Sequence, residues 1–123
     1  MLQLKNILIV VKDIERAKQF YHELFGVPVI RDFGDNIMFS GGLVLQQRDS
    51  WEQLIRSDLQ AGNASELYFE TSDLDKFLSD VENYPEKIEF VENVRENSWG
   101  RRTVILRDLD GHLIEVGYCS LSN

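Results

Sequence analysis

The chain is poor in cysteine, proline and histidine, with one, two and two of them among 123 residues. A single thiol, Cys119, excludes an intramolecular disulfide and every paired-cysteine metal or redox motif. Free cysteine usually packs as a small apolar residue, so Cys119 is read as buried near the end of the last strand. Long apolar runs are missing too. The run Ile7 to Val11 is far too short for a signal peptide or a membrane span, so a cytoplasmic protein without a membrane partner is expected. On that reading the triplet Asn63-Ala64-Ser65 is an accidental glycosylation match. Basic residues are few: 13 against 21 acidic ones give a net charge of −8. Such a chain repels phosphate backbones, and nucleic acid is not an expected partner. There is no phosphate loop, dinucleotide fingerprint, His-Glu-x-x-His helix or nucleophile elbow; Ser40-Gly41-Gly42 lacks the elbow's spacing and reads as a turn.

What is present is the pattern of one ordinary globular domain, 43% hydrophobic and 28% charged, able to build a core without staples. It divides near Gly62-Asn63 into modules of about 1–62 and 63–123. In the first, Leu4 to Val11 reads as a buried strand, and Asp13 as the N-cap of a helix with Ile14, Ala17, Tyr21, Leu24 and Phe25 on one face. Gly26 and Pro28 stop that helix. Strands follow at Val29–Phe33, Asn36–Ser40 and Gly42–Gln47, and Ser50 caps a linking helix with Trp51, Leu54, Ile55 and Leu59 inward. The second module repeats the order: strand Glu66–Thr71, Asp73-capped helix with Leu74, Phe77, Leu78 and Val81 inward, then strands Lys87–Val94, Arg101–Arg107 and His112–Tyr118. The repeat is one of pattern. Two βαβββ modules of this kind predict an α+β fold, a curved mixed sheet around a cavity with helices outside.

Four polar residues interrupt the strand-like runs: Asn6, Gln46, Glu66 and Glu115. A carboxylate in such a run either faces water or has a partner, since burying it alone is costly. Converging, two carboxylates and two amide oxygens would make a divalent-cation or substrate site. Alternation places Glu66, Tyr68 and Glu70 on one face of their strand, and Glu115 with Leu113 and Gly117 on one face of theirs. His112 falls on the other face and reads as a turn residue; His22 reads as a surface residue. If the Asp110-Gly111 turn pairs Asp108 with His112, Ile105 lies opposite Glu115, and Thr103 and Arg101 line the same cavity.

The segment Val11-Lys12-Asp13-Ile14-Glu15-Arg16-Ala17-Lys18-Gln19-Phe20-Tyr21, with Leu24-Phe25-Gly26 after it, resembles the first helix of the vicinal oxygen chelate superfamily. That superfamily includes glyoxalase I, extradiol dioxygenases, fosfomycin-resistance enzymes and bleomycin-resistance proteins. Trp99-Gly100-Arg101-Arg102 and Arg107-Asp108-Leu109-Asp110-Gly111-His112-Leu113-Ile114-Glu115 look like its C-terminal signature, and the resemblance spans essentially the whole chain. It implies a divalent metal held from the first, fourth, fifth and eighth strands, at Asn6, Gln46, Glu66 and Glu115. Four oxygen donors with two negative charges favour Mg²⁺ or Mn²⁺, without excluding Ni²⁺, Zn²⁺ or Fe²⁺. On this reading the protein is a metal-dependent lyase- or isomerase-like enzyme acting on a small molecule. Glu115 and Glu66 are then catalytic, and Tyr68, Trp99, Arg101 and Thr103 contact the ligand. The alternative implied by the resemblance is a metal-free, non-catalytic protein that sequesters a small cationic ligand, as bleomycin-resistance proteins do. With no catalysis, Glu66 would simply pair with Arg101. Either way a homodimer is expected.

Overall fold

A computed structural model describes Met1, residues 3–60, 64–96 and 102–118, with the side chain of Arg95 outside that set. The candidates Trp99, Arg101 and Cys119 lie outside the described residues, as does Asn63 of the glycosylation triplet. The chain forms two compact units, Met1–Ala61 and Gly62–Asn123.

The first unit runs β1 (Ile7–Val11), α1 (Ile14–Gln19), a π-helical turn (Phe20–Leu24), β2 (Val29–Asp32), β3 (Asn36–Phe39), β4 (Leu43–Gln47) and α2 (Arg48–Ile55). Its sheet has the order β1-β4-β3-β2, with β1 and β4 parallel and the other pairs antiparallel. Asp13 caps α1 by accepting from the Arg16 N–H. The buried Ile14, Ala17, Phe20, Tyr21 and Leu24 meet Ile37, Phe39 and Leu45 of the sheet, and the Tyr21 and Phe39 rings lie 6.2 Å apart.

The second unit repeats the plan with β5 (Glu66–Thr71), α3 (Leu74–Glu82), β6 (Phe90–Glu96), β7 (Arg102–Arg107) and β8 (Leu113–Tyr118). The sheet order is β5-β8-β7-β6, again with one parallel pair, β5 with β8. Asp73 caps α3 through the Lys76 N–H. Leu74, Phe77 and Val81 bury one face of α3, and Val104, Leu106, Ile114 and Val116 are buried in the sheet. The fold is therefore α+β, two βαβββ modules each with its own four-stranded mixed sheet and α2 after the first.

Several expectations need correction. The first strand begins at Ile7, not Leu4, whose side chain is exposed; Ile7 is the residue whose N–H first reaches the neighbouring strand, at the Gly42 carbonyl. Ile7 itself is exposed, so the strand's inward face starts further along. The first α-helix ends at Gln19, and the π turn carries Phe20 into the core, a position the 3.6-residue spacing did not single out. The linking helix starts three residues earlier than a Ser50 cap requires, with Gln47 at the N-cap. None of its residues is buried: Leu54 is 74% exposed, Ile55 is also exposed, and Leu59 lies beyond the helix. The sixth strand runs Phe90–Glu96, displaced from Lys87–Val94, and its register with β7 shifts twice along that length.

Candidate functional site

The second unit gathers its candidates on one sheet face. In β8 the burial alternates, Ile114 and Val116 inward, Leu113 and Glu115 half-buried on the other side. In β5 Leu67 and Phe69 turn inward, leaving Glu66, Tyr68 and Glu70 exposed. The parallel register sets Glu66 beside Leu113, Tyr68 beside Glu115 and Glu70 beside Gly117. Glu66 and Glu115 are thus diagonal neighbours, close enough for their side chains to reach each other. Desolvation of the Glu66 carboxyl, then a hydrogen bond and like charge from Glu115, hold its pKa above the ordinary 4.5. Glu66 therefore holds a proton more readily than an isolated glutamate does.

The rest of the face follows from the hairpin. Asp108 N–H donates to the His112 carbonyl at 2.9 Å, and Ile105 lies opposite Glu115, with Thr103 opposite Gly117. This is the register expected from the Asp-Gly turn. Thr103 is buried, beside the carboxylates' row rather than open to solvent. Asp108 anchors the turn. Its Oδ1 accepts from the Asp110 and His112 N–H groups, both at 2.8 Å, and its Oδ2 meets His112 Nδ1 at 2.7 Å. His112 therefore belongs to the turn. Tyr68 donates its phenol to Glu70 Oε2 at 3.0 Å. Its ring lies over Gly117, where an added Cβ would come within 3.2 Å of the Tyr68 Cζ. No sequence rule singled out Gly117; its only signal was a glycine inside a strand, which marks close approach by another group.

The first unit does not mirror this arrangement. Asn6 lies just before β1 and is exposed. Because Ile7 pairs with Leu43, Asn6 stands level with Gly42, and Gln46 is four residues further along, about 13 Å away at the strand rise. Aligned on the capping aspartates, Asn6 corresponds to Glu66; the two registers then match Glu115 with Val44, which is buried, and not with Gln46. Gln46 already has partners. Its Oε1 accepts from Asn36 Nδ2 at 2.8 Å, and its Nε2 donates to Ser50 Oγ at 2.7 Å. The neighbouring Gln47 faces the helix side, where its Oε1 accepts from the Ile14 N–H at 3.0 Å and its Nε2 donates to the Lys12 carbonyl. So the structure brings Glu66, Glu115 and Tyr68 together, and does not bring Asn6 to Gln46. Among the described residues no three His, Cys, Asp or Glu side chains form a metal-holding group. The Glu66–Glu115 pair suits a hard cation as two carboxylate donors; Gln46 Oε1 accepts one hydrogen bond, from Asn36.

Comparison with known proteins accounts for this architecture. Residues 4–121 match the family model of the Glyoxalase-like domain. No curated protein matches the chain. Among solved structures, a protein of unknown function from Agrobacterium tumefaciens str. C58 is 30% identical, with a TM-score of 0.83 over 97% of this chain and 95% of that one. A glyoxalase/bleomycin resistance protein/dioxygenase family enzyme from Burkholderia phytofirmans PsJN is similar at 17% identity, with a TM-score of 0.80 over 95% and 98%. The fosfomycin resistance protein FosX from Listeria monocytogenes is similar at 20% identity, with a TM-score of 0.74 over 98% and 96%. With a family model covering nearly its whole length and the paired βαβββ sheets that go with it, the chain belongs to the Glyoxalase-like domain family of the vicinal oxygen chelate superfamily.

Proposed function

We propose that the Glu66–Glu115 pair is the working centre of a small-molecule enzyme, lyase- or isomerase-like, that depends on a hard divalent cation. The observation that carries this reading is the pair itself. Two carboxyls are diagonal neighbours on an otherwise accessible sheet face, and desolvation, then the hydrogen bond and like charge of Glu115, raise the pKa of Glu66. A hard divalent cation bound there would polarise a carbonyl or stabilise an enediolate oxygen. Glu66 and Glu115 would be its carboxylate ligands in this unit. The raised pKa also makes Glu66 a readier proton acceptor than an isolated glutamate, suited to take a proton from a carbon or oxygen of the substrate and return it. Ile105 and Leu113 flank Glu115 on the same face, while the Asp108-anchored turn fixes its height in β8. The protein is expected to work as a homodimer.

A second reading has its own support. Gln46 is engaged by Asn36 and Ser50, and among the described residues no third acidic, histidine or cysteine side chain joins the pair. A non-catalytic protein could then use the carboxylates and the exposed Tyr68 ring to hold a ligand's positive charge. Titration with Mn²⁺, followed by electron paramagnetic resonance, separates the two. Stoichiometric binding that strengthens as pH rises through the Glu66 titration, and falls at least tenfold in Glu115→Gln, is the expected result. Mn²⁺ binding that ignores this substitution refutes the metal-dependent reading and leaves the binding protein.

A further inference from the structure

We infer that Tyr68 determines which ligands reach the carboxylate pair, by a bulk limit set jointly with Glu70 and Gly117. The inference rests on the pair being the working centre, and it deepens that reading by naming the device that selects the ligand. Tyr68 stands directly beside Glu115 in the parallel register, and Glu70 stands beside Gly117 two residues along. The phenol does not project straight out from the sheet. It leans along the strands until its ring covers Gly117, where the hydroxyl donates to Glu70 Oε2 at 3.0 Å. The missing side chain at position 117 makes this possible, because a Cβ there would meet the Tyr68 hydroxyl first and then the ring, 3.2 Å from Cζ and 3.4 Å from Cε1. Gly117 has an ordinary backbone φ, so the glycine is needed for space and not for conformation.

The consequence for Glu115 is an aromatic wall on one side. The Tyr68 ring bounds it toward Gly117, Ile105 stands beside it across β7, and Leu113 lies two residues before it in β8. A ligand whose oxygen atoms sit at the pair must therefore keep its bulk away from Gly117, and its nearest apolar contact is the Tyr68 ring. The ring is tethered through its hydroxyl, so it acts as a fixed wall while the tether to Glu70 holds. Tyr68 is in this sense a specificity-determining residue. Its hydroxyl acts on the ligand only through the ring it anchors.

The test uses the full chain loaded with Mn²⁺ and two oxygen-chelating probes that differ only in bulk, acetohydroxamate and benzohydroxamate. The readout is the ratio of their dissociation constants, measured by calorimetry. Tyr68→Ala should shift this ratio toward the bulkier probe by about tenfold, which corresponds to 1.4 kcal/mol. Tyr68→Phe, which loses only the tether, should shift it part of the way. Gly117→Ala, whose added Cβ would meet the Tyr68 hydroxyl and ring, should move it as well. Mn²⁺ should still bind in all three, with unchanged circular dichroism showing that the fold persists. A ratio that does not move in Tyr68→Ala, with Mn²⁺ still bound, overturns the inference alone. Failure of the unsubstituted protein to bind Mn²⁺ overturns the functional reading and this inference with it.

Discussion

Removing the Asp108 carboxylate should cost far more stability than removing any exposed acidic residue, and the cost can be worked from its contacts. Asp108 is 7% exposed, and its two oxygens meet the Asp110 N–H, the His112 N–H and His112 Nδ1 at 2.8, 2.8 and 2.7 Å. In Asp108→Ala two backbone N–H groups in a tight turn lose their acceptor, and each unsatisfied or poorly solvated donor costs about 1–3 kcal/mol. Water can reach part of the turn, because the residues around Gly111 are only half-buried, so the lower half of that range applies. The loss should total about 2–4 kcal/mol, a large share of the ~5–15 kcal/mol that holds a domain together. For a chain of this size that is roughly a 10 °C drop in Tm. Asp108→Asn keeps an acceptor for both N–H groups and gives up only the charge facing His112, so it should lose about 1 kcal/mol. Urea unfolding followed by circular dichroism measures both. Equal losses for the two substitutions, or a loss below about 1 kcal/mol for alanine, would refute the argument that the turn depends on accepted N–H bonds. The functional corollary is that the alanine variant, if folded, should weaken Mn²⁺ binding as well, since the turn sets the height of Glu115 in β8.

Two further outcomes follow from named contacts. The pKa of Glu66 is raised in the folded state, so its contribution to stability is fully present below the ordinary value of 4.5 and is lost as pH rises through the folded pKa. Glu115→Gln removes the like charge and replaces the carboxyl partner, so stability at pH 7 should increase and the decline in urea midpoint between pH 4.5 and neutrality should flatten; an identical decline in both proteins would show that Glu115 is not the cause. Gln47→Ala should cost about 1–2 kcal/mol, because it strips the acceptor from the first free N–H of α1 and a donor from the Lys12 carbonyl. Thermal unfolding unchanged from the parent would mean that water replaces the Gln47 amide at no penalty.

Strand and helix identities were legible in the sequence wherever local chemistry and burial agree. Asp13 and Asp73 are short acceptors ahead of apolar helical faces, and both cap helices as their positions suggest. The Asp-Gly turn gave the β7–β8 register because turn length fixes pairing, and the pairing of Ile105 with Glu115 followed from it. Where the pattern misled, a non-local partner was responsible. Leu54 and Ile55 have the spacing of an inward helical face, yet spacing states only that a face exists, not that anything covers it. The ends of β6 and its irregular pairing with β7 leave no mark in its composition.

The candidate site shows the same division more sharply. Glu66 and Glu115 could be matched because each sits at a fixed distance from a local landmark, the Asp73 cap and the Asp110-Gly111 turn. Gln46 had no such landmark, and an amide near the end of an apolar run looked equivalent to a carboxylate in the matching run. Parity alone could not correct this, since Val44 and Gln46 share a face, and only the parallel register of β1 with β4 separates them. The register makes Val44 the counterpart of Glu115 and gives Gln46 to Asn36 and Ser50. The asymmetry has a physical consequence for any duplicated βαβββ chain. Where one module has a buried valine at the position that carries a carboxylate in the other, chemistry that needs charge falls to the other module. In this chain the second module has two carboxylates within reach of each other and an aromatic wall beside them.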